Sequence, residues 1–158
     1  MLLRGKLLKN NTNASEFPMP KIVLDLNVLI AALLSDKGSS YELVHLCAEG
    51  KVTGYVSKTM MSKFNEVIQR DYKVPLERAE QMVEVLLQFL KLVEPDFKLK
   101  AVAEDDEDNR VVECAVYTKA DYLASWDPHL TNLKEFQGIK IMNPGKLLEE
   151  LKEGNRIK

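Results

Sequence analysis

Three observations predict an α/β fold, a three-layer α/β/α sandwich with a central parallel sheet. Short apolar runs such as Ile22-Val23-Leu24 and Tyr122-Leu123-Ala124 are too brief for helices and suit strands covered on both faces. Segments with helical spacing alternate with these runs, which is the pattern of a parallel sheet between helix layers. Aspartates stand where the runs end, at Asp25 and Asp127, and at a helix start, Asp108. Such edges are where α/β proteins build their sites.

Taken in order, Lys21 opens the regular pattern and Ile22 to Leu24 form the first strand. Residues 25–27 turn into a helix over 28–34. Ser39 and Ser40 cap a second helix that runs to about Ala48 and stops at Gly50. Residues 53–56 form the second strand. Ser57 then caps a third helix with Met60, Met61, Phe64, Val67 and Ile68 on its apolar face. Pro75 opens a fourth helix reaching Leu90, whose apolar residues fill more than one stripe. That helix lies either deep in the core or at a homodimer interface.

Residues 97–102 alternate like an edge strand, and Asp108 begins a helix through Val111, Val112 and Cys114. Tyr122-Leu123-Ala124 is a buried strand, followed by Asp127-Pro128, a cap with proline at the first helical position. A last strand over 139–142 precedes the same device at Asn143-Pro144, which opens the closing helix.

The domain reading is a flexible N-terminal extension over residues 1–20, one domain over 21–152 and a tail over 153–158. The extension carries Arg4, Lys6 and Lys9, a polar asparagine-rich stretch, Pro18 and Pro20. A chain of 158 residues, 46% apolar and 29% charged, builds its own core without staples. A net charge of −2 excludes a wholly basic nucleic-acid binder, although a local patch could still serve. Lys98, Lys100, Arg110 and Lys119 are candidates for phosphate contacts. Cys47 and Cys114 lack any paired metal-ligand spacing and read as buried reduced thiols. With no run near the ~18 apolar residues of a membrane span and no secretory pattern, a cytoplasmic location without membrane contact is the expectation.

Each aspartate has a plain reading as a helix cap or first-turn acid. Three of them at one sheet edge suggest more. Gathered carboxylates repel unless neutralised, and a hard divalent cation with oxygen ligands, Mg²⁺ or Mn²⁺, is the usual remedy.

The segment Val23-Leu24-Asp25-Leu26-Asn27-Val28-Leu29-Ile30 resembles the PIN domain. So do Asp105-x-x-Asp108-Asn109-Arg110 with Glu113-Cys114-Ala115, and the run from Ala120 to Asp127. Together they cover about residues 21–148 and are most similar to the branch of prokaryotic toxin components that includes VapC. The resemblance implies a PIN-like parallel-sheet fold and Mg²⁺- or Mn²⁺-dependent cleavage of RNA. It also implies an antitoxin protein as partner and a homodimer.

Carried over, the catalytic and metal-binding acids are Asp25, Asp108 and Asp127, with Asn27, Ser125 and Asn109 in support. Two departures stand out. The usual hydroxyl residue between the first acid and Asn27 is Leu26. The second acid, expected six residues after Ser57, is Lys63. Glu66, three residues later, lies about 160° around the helix from Phe64, the centre of the apolar face, and is expected to face water. Lys63 is either a surface lysine or a partner for Asp25 or a phosphate, and Asp105 is a further acid within reach. His129 replaces a frequent later aspartate of the family, as a structural cap residue or as a ligand for a softer metal.

The resemblance leaves a second reading open, a degenerate module that binds RNA or protein without cutting. A phosphotransfer enzyme of the haloacid-dehalogenase type needs a second acid two residues after the first, and Asn27 stands there.

Overall fold

The structure is a computed structural model that describes residues 18–100 and 105–154. The first 17 residues of the expected N-terminal extension and residues 155–158 of the expected tail lie outside the described residues. Pro20 is buried, and its carbonyl accepts a hydrogen bond from the Thr53 amide at 2.9 Å, so the chain joins the domain just before the first strand.

Among the described residues six strands form one sheet: β1 (Lys21–Leu24), β2 (Thr53–Ser57), β3 (Leu90–Val93), β4 (Tyr122–Ala124), β5 (Glu135–Phe136) and β6 (Ile139–Met142). Their spatial order is β3-β2-β1-β4-β6-β5. All neighbours are parallel except β5, which pairs antiparallel with β6. The expected central parallel sheet is present, with one antiparallel strand added at its edge. A two-residue strand beside Gly138, which holds a positive φ of 83°, can only turn back on its neighbour.

The helices are α1 (Leu26–Leu34), α2 (Ser39–Ala48), α3 (Lys58–Tyr72), α4 (Leu76–Leu86), α5 (Asp106–Thr118), α6 (Pro128–Thr131) and α7 (Pro144–Glu153). Ile22, Val23 and Leu24 are wholly buried at the centre of the sheet, as an uninterrupted apolar run requires. Phe64, Leu29, Leu43 and Leu147 pack the helix layers around it. In α3 the buried residues Met60, Met61, Phe64 and Ile68 form one stripe, and the Ser57 hydroxyl caps the helix by accepting from the Met60 amide at 3.1 Å. Gly54 allows β2 to lie close to its cover. A Cβ there would stand 2.6 Å from Leu90 Cδ2 and 2.8 Å from Cys47 Sγ.

Several boundaries differ from the sequence reading. Asp25 itself caps α1, which begins at Leu26. α2 is capped by Gly38 rather than by a serine side chain, with the glycine at φ 102°. α5 starts at Asp106, which places Asp108 inside its first turn. α4 ends at Leu86, and Leu90 opens β3 instead of closing the helix. Only Ala79 and Leu86 of α4 are fully buried, so the helix is not a core element, and Leu76 and Val85 are exposed. Residues 97–100 are not a strand, and residues 101 and 102 lie outside the described residues. The edge position belongs to Leu90–Val93, where parallel pairing with β2 decides between two lysine-containing alternating segments. Among the described residues no helix is long and apolar enough to cross a membrane.

Candidate active site

Strand order reverses at β1. The chain moves outward to β2 and β3 on one side, then returns to place β4 on the other. The carboxyl ends of β1 and β4 therefore flank a crevice, the position where open α/β sheets bind ligands. Asp25 follows β1 and Ser125-Trp126-Asp127 follow β4, while the first turn of α5 brings in Asp105 to Asp108.

Asp25 is buried and well held. Its amide donates to the Ala124 carbonyl at 3.0 Å, its Oδ1 accepts from the Leu26 amide at 2.8 Å, and its Oδ2 accepts from the Ser125 hydroxyl at 2.7 Å. Ser125 Oγ also accepts from the Asp127 amide at 3.0 Å and from Asn27 Nδ2 at 3.4 Å. Asn27 Oδ1 accepts from the Trp126 amide at 3.2 Å. Asn27 and Ser125 thus clasp the ends of β1 and β4 together. Asp127 caps α6, its Oδ1 accepting from the His129 amide at 2.9 Å.

These groups line a cavity of about 420 Å³. Among the described residues its wall carries six carboxylates, Asp25, Glu66, Asp105, Glu107, Asp108 and Asp127, against two cations, Lys63 and Arg110. The imbalance shows in the carboxyl groups. Burial pushes Asp25 above its usual range, against the Ser125 and Leu26 hydrogen bonds that favour its charge. Burial, then the charges of Asp127, Asp25 and Asp105, raise Asp108 to about 7. Asp108 Oδ2 is buried and, among the described residues, has no hydrogen-bond partner. A buried, unpaired carboxylate oxygen on a residue that lines an acidic cavity fits a hard cation. One ligand atom each from Asp108, Asp127 and His129 lie within 4.8 Å of one another, and Asp25, in the same cavity, does not join that group at this spacing.

The remaining candidates divide. Asp105 lines the cavity and caps α5, accepting from the Glu107 amide at 2.8 Å. Asn109 is buried but is not among the residues lining the cavity. Glu66 is mostly exposed, as the helical wheel requires, yet still reaches the cavity rim. Lys63 does reach the cavity, but its ammonium pairs with Glu107 at 2.7 Å and lies 3.6 Å from Glu66, rather than pairing with Asp25. Arg110 is held by the Leu99 carbonyl, by Glu113 at 3.4 Å and by Asp106 at 3.8 Å, none of which lines the cavity.

Sequence reasoning missed Glu107 as the lysine's partner. It also missed Ser40, whose hydroxyl accepts from the Trp126 indole at 2.8 Å and steadies the loop before Asp127. The acidic run at 105–108 was a signal for the first. Nothing local signals the second. Cys47 and Cys114 are buried, and burial pushes both thiols up to about 12, so they stay protonated and inert.

The chain is 22% identical over 145 residues to the uncharacterized protein MJ1680 of Methanocaldococcus jannaschii, covering 84% of this chain and 92% of that protein. Its fold is similar to a crystal structure of VapBC2 from Rickettsia felis bound to a DNA fragment from their promoter. The TM-score is 0.59 at 15% identity, over 78% of this chain and 98% of the other. The family model of the PIN domain matches residues 21–129, a stretch that holds β1, β4 and every acid of the crevice. The chain belongs to the PIN domain family.

Proposed function

We propose that this protein is a metal-dependent ribonuclease of the PIN type, the toxin component of a toxin–antitoxin system. The observation that carries the reading is the buried, unpartnered Asp108 Oδ2 in a cavity where carboxylates outnumber cations at the switch point of the sheet. Asp25, Asp108 and Asp127 would hold Mg²⁺ or Mn²⁺. When bound, such a cation activates water for attack on a phosphodiester and steadies the departing oxygen.

The chain's own contribution is position. Ser125 and Asn27 fix Asp25 and the Asp127 amide, so two ligands from separate strands keep one spacing. Lys63, at the rim, offers an ammonium to a phosphate once Glu107 yields it. Likeness to VapBC2 supports an antitoxin protein as partner, the exposed Leu76 and Val85 of α4 leave apolar surface for a second copy, and the cytoplasm is where RNA and antitoxin would be met.

The test is cleavage of single-stranded RNA by purified protein in Mn²⁺, beside Asp108→Asn. Cleavage lost in the variant and abolished by chelator is the expected result. A second reading, a module that binds RNA or protein without cutting, is favoured by Lys63 standing at the family's acidic position and tied to Glu107. Metal binding without cleavage of any RNA would select it.

A further inference from the structure

Resting on the nuclease reading, we propose that His129 is a ligand of the same cation and biases the site toward Mn²⁺ and other first-row ions over Mg²⁺. One donor atom each from His129, Asp108 and Asp127 fall within 4.8 Å of one another. Two donors sharing an ion at ~2.1 Å stand at most ~4.2 Å apart, so small side-chain rotations bring all three onto one ion. His129 is free to make that rotation, because its side chain is 74% exposed on the four-residue α6. Its ring already leans on the site, with Nδ1 3.5 Å from Asp127 Oδ1. Its backbone is pinned by the His129 amide hydrogen bond to the same oxygen at 2.9 Å. Asp108, which offers the third donor, has its Oδ2 buried and, among the described residues, without a hydrogen-bond partner.

Imidazole changes which ion is preferred. Mg²⁺ takes oxygen donors and gives up its waters reluctantly, whereas first-row divalent ions accept imidazole readily. A mixed set of carboxylates and one ring nitrogen therefore discriminates, where an all-carboxylate set does not. His129→Asp would restore an oxygen-only set.

The experiment is pulsed electron paramagnetic resonance on untagged protein loaded with Mn²⁺, with Mg²⁺ competition followed in parallel. The chain has two histidines, so His45→Ala is the control for the other ring. Expected are nitrogen modulation on the Mn²⁺ signal in wild type and His45→Ala, its loss in His129→Ala, and about tenfold less Mg²⁺ needed to displace Mn²⁺ from His129→Asp. Mn²⁺ binding that depends on Asp108 but shows no nitrogen modulation overturns the role of His129 and leaves the nuclease reading standing. No Mn²⁺ binding by wild type at millimolar concentration overturns both. Since the His129 side chain is exposed, the variants are expected to retain the wild-type circular dichroism spectrum.

Discussion

Ser125 Oγ donates to Asp25 Oδ2 at 2.7 Å, across a sequence separation of 100 residues, and joins the ends of β1 and β4 at the floor of the acidic crevice. The hydroxyl stands between two demands. It steadies a buried carboxylate, and it accepts the Asp127 amide at 3.0 Å. Replacing it with alanine leaves a buried acid short of a donor. Ser125→Ala is expected to cost about 1–3 kcal/mol in urea unfolding and to weaken Mn²⁺ binding in calorimetry. Unchanged stability and affinity would remove the clasp from the account.

Asp108 gives the cation-free protein a pH dependence. The carboxyl titrates near 3.8 when unfolded and at about 7 in the folded chain. Between those values the folded state holds a proton that the unfolded state has released, so this contribution to stability is full at acid pH and lost as pH rises through 7. Asn is neutral throughout. Asp108→Asn is therefore expected to be more stable than wild type by roughly 1–2 kcal/mol at alkaline pH in chelator, with the gap closing toward pH ~4. Saturating Mn²⁺ should reverse the order, because only the wild type then gains binding energy. Parallel urea titrations at two pH values check both statements.

Of the two cations on the cavity wall, Arg110 pairs with the buried Glu113, whereas the partners of Lys63, Glu107 and Glu66, are exposed. Changing Lys63 to glutamate adds a carboxylate at the cavity wall and frees Glu107 from its 2.7 Å ion pair. Lys63→Glu is expected to tighten Mn²⁺ binding severalfold, with Lys63→Gln in between, as the local charge becomes more negative. The protein's single tryptophan, Trp126, precedes Asp127, so quenching of its fluorescence by paramagnetic Mn²⁺ is a direct readout. Equal affinity in all three proteins would show that Lys63 lies outside the electrostatic reach of the site.

Gly54 tests the packing beneath the sheet. An added methyl would meet Leu90 at 2.6 Å and Cys47 at 2.8 Å, both buried and closely packed. Gly54→Ala is expected to lose about 1–3 kcal/mol in thermal or urea unfolding. Leu90→Val beside it should recover part of that loss.

Much of the fold was legible. The strands β1 and β4 stand out as short apolar runs, β2 and β6 also read as strands, and α3 shows its buried stripe at helical spacing. β3 did not, because Leu-Lys-Leu-Val follows a helical pattern without a break and alternates no better than the segment after Phe97. β5 is two residues long and leaves no periodic trace. At the crevice, the places of Asp25 and Asp127 follow from where β1 and β4 end.

The sequence by itself determined β1, β2, β4, β6, most of the helices and the carboxylates at the ends of β1 and β4, because burial on one face or two imposes a local period that can be read along the chain. Tertiary structure alone decided that Ser125 meets Asp25, that Lys63 turns to Glu107 and that His129 comes within reach of Asp108. Those distances depend on strand order and on the angles at which helices leave the sheet. Both are set by the packing of the whole core, and no local pattern encodes them.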